Sequence, residues 1–257
     1  MNTFSLKSVL GTLGCIGLFF TPFHIWAQSL KVGYFNLVPH IEEGTSNTPT
    51  KGPAISYLKK VMEKAGVTEL QIPPKPYPLS RLLQALESGK IDLAVALGKS
   101  PERAKKFAYP SKPFLQMQPA FMLLKNSPYD ILHSIKDILL MNIGIYEKGF
   151  LSPLMRDKRL RVKPLSGNNV ILRNYKIMLR ERLDAVYSPD SYELIYTAKA
   201  NSFFNNIKVV PLPEPKVGLY TVFSKKTAIK YIKSYEKTLN EIEPYETHLT
   251  RFINDNL

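Results

Sequence analysis

The stretch Leu86-Glu87-Ser88-Gly89-Lys90-Ile91-Asp92-Leu93-Ala94-Val95-Ala96-Leu97 decides the fold. A helix with Leu82, Leu83 and Leu86 on its apolar face stops at Gly89, because glycine accepts the left-handed cap conformation. The run over 91–97 that follows is nearly continuous in apolar residues. Such a run suits a parallel strand covered by helices on both faces.

Working outward, the same logic repeats. A first strand is expected over 30–35, then a polar loop holding Glu42, Glu43, Gly44 and the residues to Lys51. Gly52-Pro53 opens a helix, since the missing proline N–H costs nothing at the first helical position. Ile55, Leu58, Val61 and Met62 recur at helical spacing, and Gly66 ends the segment. A short strand over 70–72 precedes Pro73, Pro74, Pro76 and Pro78, which make a stiff connector, and Ser80 is expected to cap the next helix. Downstream, strands are expected over 143–145, 160–162, 184–187, 207–210 and 218–223. Helices are expected to begin at 151–155 and to run over 170–182, capped by Asn168 or Asn169. Further helices fall over 192–199 and about 226–243 and 245–256. Alternation of this kind predicts an α/β protein with helices packed outside parallel sheets.

The N-terminus has another character. Lys7 is its one charge, 9–20 is almost wholly apolar, and Ile25-Trp26-Ala27 closes the segment. This reads as a secretory signal cleaved after Ala27, the apolar run being shorter than the about 20 residues a membrane span needs. An uncleaved anchor, or a lipoprotein modified at Cys15 in Leu13-Gly14-Cys15, are the alternatives. An exported, periplasmic location follows. Cys15 is the only cysteine, so cleavage leaves none, and thiol catalysis, structural zinc and iron–sulfur clusters are excluded. The formal net charge is +14, with lysines spread along the chain rather than gathered in an aromatic-interleaved repeat. That pattern reads as a solvated basic surface and argues against nucleic acid as a partner.

The order of 86–93, then Ser100-Pro101-Glu102-Arg103, then Tyr109-Pro110-Ser111-Lys112-Pro113-Phe114 resembles the family 3 extracellular solute-binding proteins. These are type II periplasmic binding proteins that usually serve amino-acid transporters. The segment Met178-Leu179-Arg180-Glu181-Arg182-Leu183-Asp184-Ala185-Val186 is similar to the family's second-lobe helix and strand. The resemblance covers essentially all of the chain after the leader. It implies a two-lobed fold, each lobe a mostly parallel sheet flanked by helices. Lobe 1 would be 28–118 with 216–257, and lobe 2 would be 119–215. Crossover segments at 116–124 and 213–220 would act as hinges, with a ligand trapped in the cleft outside the carboxyl ends of the strands. The implied partners are a small-molecule ligand, an amino acid or related organic acid, and a membrane transporter permease. The protein would be a monomer with no cofactor.

Ser100 and Pro101 can start a helix whose N–H groups face an anion, and Arg103 one turn in can grip a carboxylate with two hydrogen bonds. In the resembling family the matching arginine holds the ligand's carboxylate. Gly98 lies on the same turn, where the family usually has a hydroxyl residue; as a glycine it can also serve a tight turn of positive φ. Arg81, at the start of its helix, either faces the cleft or is solvated. Tyr34 and Tyr77 are candidate cleft walls, with packing inside lobe 1 as their other reading. From lobe 2, Glu147-Lys148-Gly149 corresponds to the family's second anion-holding turn, Gly149 letting backbone N–H groups approach a ligand. Asp190 lies one residue past Pro189, which occupies the place where the family keeps an acid for the ligand's ammonium.

Catalysis finds little support. His40, His133 and His248 show no metal-binding spacing, and neither a Gly-x-Ser-x-Gly elbow nor a Walker loop occurs. Glu42-Glu43 reads as solvated loop charge. A dehydratase-like enzyme on this fold would have Glu147 as its acid/base, and a sensory module that kept the clamp without transport is the other alternative.

Overall fold

The computed structural model describes residues 29–43 and 50–256. The expected leader with its cleavage site at Ala27, and Gly44 in the polar loop, lie outside the described residues. Two five-stranded sheets organise the chain. Strand β1 (Ser29–Gly33), α1 (Pro53–Lys64), β2 (Glu69–Gln71), α2 (Leu79–Ser88) and β3 (Leu93–Gly98) form the β-α-β-α-β unit read from the sequence, and α3 (Pro101–Lys106) follows. Then come β4 (Leu115–Met117), β5 (Ala120–Leu124), β6 (Asn142–Tyr146), β7 (Arg161–Leu165) and α4 (Val170–Met178). The chain continues through β8 (Ala185–Ser188), α5 (Ser191–Ala200), β9 (Ile207–Pro211), β10 (Val217–Phe223), α6 (Ile232–Glu241) and α7 (Tyr245–Asn256).

The first sheet has the order β2-β1-β3-β10-β4 and the second β7-β6-β8-β5-β9. In the first, β1 pairs in parallel with β2 and β3, while β10 pairs antiparallel with β3 and β4. In the second, β6 pairs in parallel with β7 and β8, while β5 pairs antiparallel with β8 and β9. Each sheet therefore runs mostly one way, with one reversed strand beside its centre. Those reversed strands, β5 and β10, are the ones that follow the two crossings between sheets. Every residue of β3 is buried, as its unbroken apolar run requires, with apolar side chains packed on both faces.

The crossings are narrower than the segments expected at 116–124 and 213–220, because β4, β5 and β10 take up most of those residues. The passage out is Gln118-Pro119, between β4 and β5, and the passage back lies at 212–216. The two are bound side by side: Leu212 N donates to Pro119 O at 2.9 Å, and Gln118 Nε2 donates to Leu212 O at 3.4 Å.

Local expectations fare unevenly. Gly89 caps α2 at φ 80°, and Ser100 caps α3, its Oγ accepting from Arg103 N at 3.2 Å. Ser80 does not cap α2, which starts at Leu79 behind Pro78. The helix expected from 151 is one 3-10 turn at Leu154–Arg156, since Asp157 returns to extended backbone. Helix α4 ends at Met178 rather than Arg182, because Glu181 takes a left-handed φ of 57° and turns the chain toward β8.

Candidate binding cleft

A cavity of about 420 Å³ opens where the carboxyl ends of β1, β3, β6 and β8 face one another. Gly98, Arg103, Tyr77, Gly149 and Asp190 line it, so sequence reasoning brought five of its nine candidates to one place. The other four lie elsewhere. Tyr34 is fully buried inside lobe 1, its hydroxyl 2.7 Å from Thr50 Oγ1, and that burial raises its pKa. Arg81 points to solvent. Ser100 is a helix cap that also donates to Glu102 at 2.8 Å. Glu147 is exposed, and its backbone N–H pairs with Leu165 O.

Gly98 is a glycine for a reason other than turn geometry, since its φ is not in the left-handed region; that conformation falls to Ala96 (φ 64°), at the β3–β10 register shift. A Cβ on Gly98 would stand 2.5 Å from the ring of Phe150, which reaches across from lobe 2. Arg103 is pinned at the same point. One terminal nitrogen donates to Gly98 O at 3.1 Å and the other to Lys148 O at 2.9 Å, joining the lobes through backbone carbonyls. Burial lowers the Arg103 pKa. Gly149 does not present its N–H to the cavity, because that group donates to Tyr146 O at 2.9 Å.

Asp190 is fully buried and spent on structure. Its Oδ1 accepts from Tyr192 N, capping α5, and its Oδ2 lies 2.5 Å from His40 Nε2. The opposite nitrogen of His40 is 2.7 Å from the Tyr245 hydroxyl. A third link between lobes runs from the Tyr196 hydroxyl to Glu42 Oε1 at 2.7 Å.

Three of the cavity residues that the sequence reading missed bear on its chemistry. Phe35 of lobe 1 and Tyr146 of lobe 2 stack across the cleft with ring centroids 6.4 Å apart. Phe35 follows Tyr34 just past the end of β1 and is partly exposed where Tyr34 is fully buried. Glu193 lies in the first turn of α5, where an acid three residues after Asp190 reads as part of a helix cap. Its Oε2 accepts from Ser188 Oγ at 2.5 Å. Burial pushes its pKa up to about 7; the Ser188 hydrogen bond opposes the rise and the nearby Asp190 charge adds to it. No group of three or more His, Cys, Asp or Glu among the described residues is placed to hold a metal, and no described helix is long and apolar enough to cross a membrane.

The model for bacterial extracellular solute-binding proteins, family 3, matches residues 30–255. No curated protein matches the sequence. Among solved structures, the chain is similar to an amino acid ABC transporter substrate-binding protein, AbpA, from Streptococcus pneumoniae bound to L-arginine. The TM-score is 0.69 and the identity 17%, over 88% of this chain and 93% of that one. An ancestral arginine-binding protein bound to glutamine gives a TM-score of 0.68 and 22% identity, over 87% of this chain and 97% of that one. The BvgS VFT2 domain of Bordetella pertussis gives 0.70 and 15%, over 87% and 93%.

Proposed function

The chain belongs to the bacterial extracellular solute-binding proteins of family 3 and has their two-lobed type II periplasmic binding-protein fold, and from that premise we propose that it captures a small polar solute between its lobes and delivers it to an ABC-type membrane transporter. The observation that carries the reading is the cavity of about 420 Å³ walled from both sheets at their strand ends. That volume lies within the range of small-molecule sites, and open α/β sheets bind ligands at this end. The paired crossings at Gln118-Pro119 and 212–216 give two adjacent pivots, which suits a clamp that opens and closes as two bodies. Similar folds solved with arginine or glutamine bound support a polar, nitrogen-bearing guest.

Binding rather than turnover is the activity proposed. Residues 1–27 serve as a cleaved export signal that places the clamp in the periplasm, where N-terminal sequencing of the exported protein should begin at Gln28. A thermal-shift screen over amino acids, organic acids and amines tests the function. At least one compound class should raise the melting temperature, and the rise should vanish in a Phe35→Ala, Tyr146→Ala double variant. A screen without any shift, or a shift that survives those substitutions, contradicts the reading.

A further inference from the structure

The charges of the cleft are unequally committed. Arg103 spends its terminal nitrogens on Gly98 O and Lys148 O, and no carboxylate among the described residues lies within bridging distance of it. The Phe150 ring fills the space beside Gly98. The turn where a guest carboxylate was expected is thus occupied by the protein's own carbonyl and ring.

The opposite wall carries an acid without a counter-charge. Glu193 lines the cavity and accepts from the Ser188 hydroxyl, and no Lys, Arg or His among the described residues bridges to it. Asp190 beside it is already committed to His40 and Tyr192 N. Tyr146 is close enough for the Glu193 charge to help raise its pKa, second to burial, and its ring stacks on Phe35. A buried carboxylate facing apolar walls is stable only when a cation joins it or when it keeps its proton. Aromatic faces add attraction for the same cation.

We infer that Glu193, with the Phe35 and Tyr146 rings lining the same cavity, is the subsite for the protonated nitrogen of an organic amine, and that this guest needs no carboxylate. The inference rests on the cleft being the solute site. An anionic guest would meet three acids, Glu43, Asp190 and Glu193, against Lys75 and an Arg103 that is already held. A cation supplies what Glu193 lacks.

Calorimetric titration of the full mature protein with agmatine, arginine and glutamate tests this, agmatine being arginine without its carboxylate. Agmatine should bind as tightly as arginine within about threefold, with glutamate weaker by about 100-fold or more. Glu193→Gln, which keeps the Ser188 hydrogen bond, should weaken agmatine by about 30-fold or more while leaving the circular dichroism spectrum unchanged. Protons compete with the amine for Glu193, so wild-type affinity should fall by up to about tenfold per pH unit below pH 7, and the fall should be absent in Glu193→Gln. The variant separates this effect from the other titratable groups facing the cavity, namely Glu43, Lys75, Arg103, Asp190 and the tyrosines Tyr77, Tyr146, Tyr187 and Tyr196. Arginine binding more than about 30-fold tighter than agmatine, or an unaltered Glu193→Gln, overturns the inference. Binding of glutamate alone overturns it too but leaves the cleft as a solute site. Failure of all three, together with a silent screen of neutral solutes, removes both.

Discussion

His40 of lobe 1 and Asp190 of lobe 2 meet through Nε2 and Oδ2 at 2.5 Å, both fully buried, 150 residues apart in the chain. With Tyr245 on the far side of the imidazole, the pair ties the start of α7 to the start of α5. Removing one member of such a pair leaves the other buried and unsatisfied. His40→Ala should therefore cost about 3–5 kcal/mol in chemical denaturation. Tyr245→Phe, which removes one hydrogen bond to a polar group, should cost about 1–2 kcal/mol. A double-mutant cycle between His40 and Asp190 should give a coupling above about 1 kcal/mol, and a value near zero contradicts the contact.

Gly98 and Phe150 make a steric prediction. A methyl group at 98 would stand 2.5 Å from the ring, so Gly98→Ala must push Phe150, and lobe 2 with it, away from the turn. The substitution should destabilise by about 1–3 kcal/mol, as overpacking does. Adding Phe150→Ala should recover most of that loss in the same melting experiment. Equal destabilisation with and without Phe150 contradicts the proposed clash.

Arg103 acts in this account as a fastener between lobes. Arg103→Ala should weaken every cleft guest to a similar extent, because closure loses the hydrogen bond to Lys148 O. The ratio of agmatine to arginine affinity should change by less than about threefold. A selective loss of arginine, with agmatine untouched, shows instead that Arg103 holds a carboxylate.

Glu193 predicts a pH dependence of stability. Its pKa stands at about 7 in the folded protein against an ordinary 4.5, so the folded state holds a proton that the unfolded state has released between those values. Stability then falls as pH rises from about 4.5 to about 7, by roughly 1–3 kcal/mol after allowing for the water-accessible cavity. Glu193→Gln should be the more stable protein at pH 8, and the difference should vanish near pH 4.5. Urea titrations at the two pH values measure this.

Much of the fold was legible because its signals are local. Gly89, Ser100 and Pro53 mark helix ends by their own backbone chemistry, and the burial of β3 follows from its continuous apolar run. The helix beginning at 151 and the long α4 were misread because the residues that stop them, Asp157 and Glu181, are not conventional breakers. The site was legible in part for the same reason. Gly98 ends β3 and Arg103 and Gly149 come shortly after strand ends, and strand ends face the cleft. Their roles depend on partners from the other lobe: Phe150 for Gly98, Lys148 O for Arg103, His40 for Asp190. No spacing in the chain announces those pairings. Glu193 looks like ordinary helix-capping charge until the cavity beside it is seen.

The central claim is that a guest lies between the two sheets. The most direct test is a crystal structure of the protein with the tightest compound from the thermal-shift screen. The account predicts that compound enclosed by Phe35, Tyr146 and Glu193. A guest seated elsewhere, such as in the outer recess bounded by Pro113, Glu236 and Asn240, contradicts it.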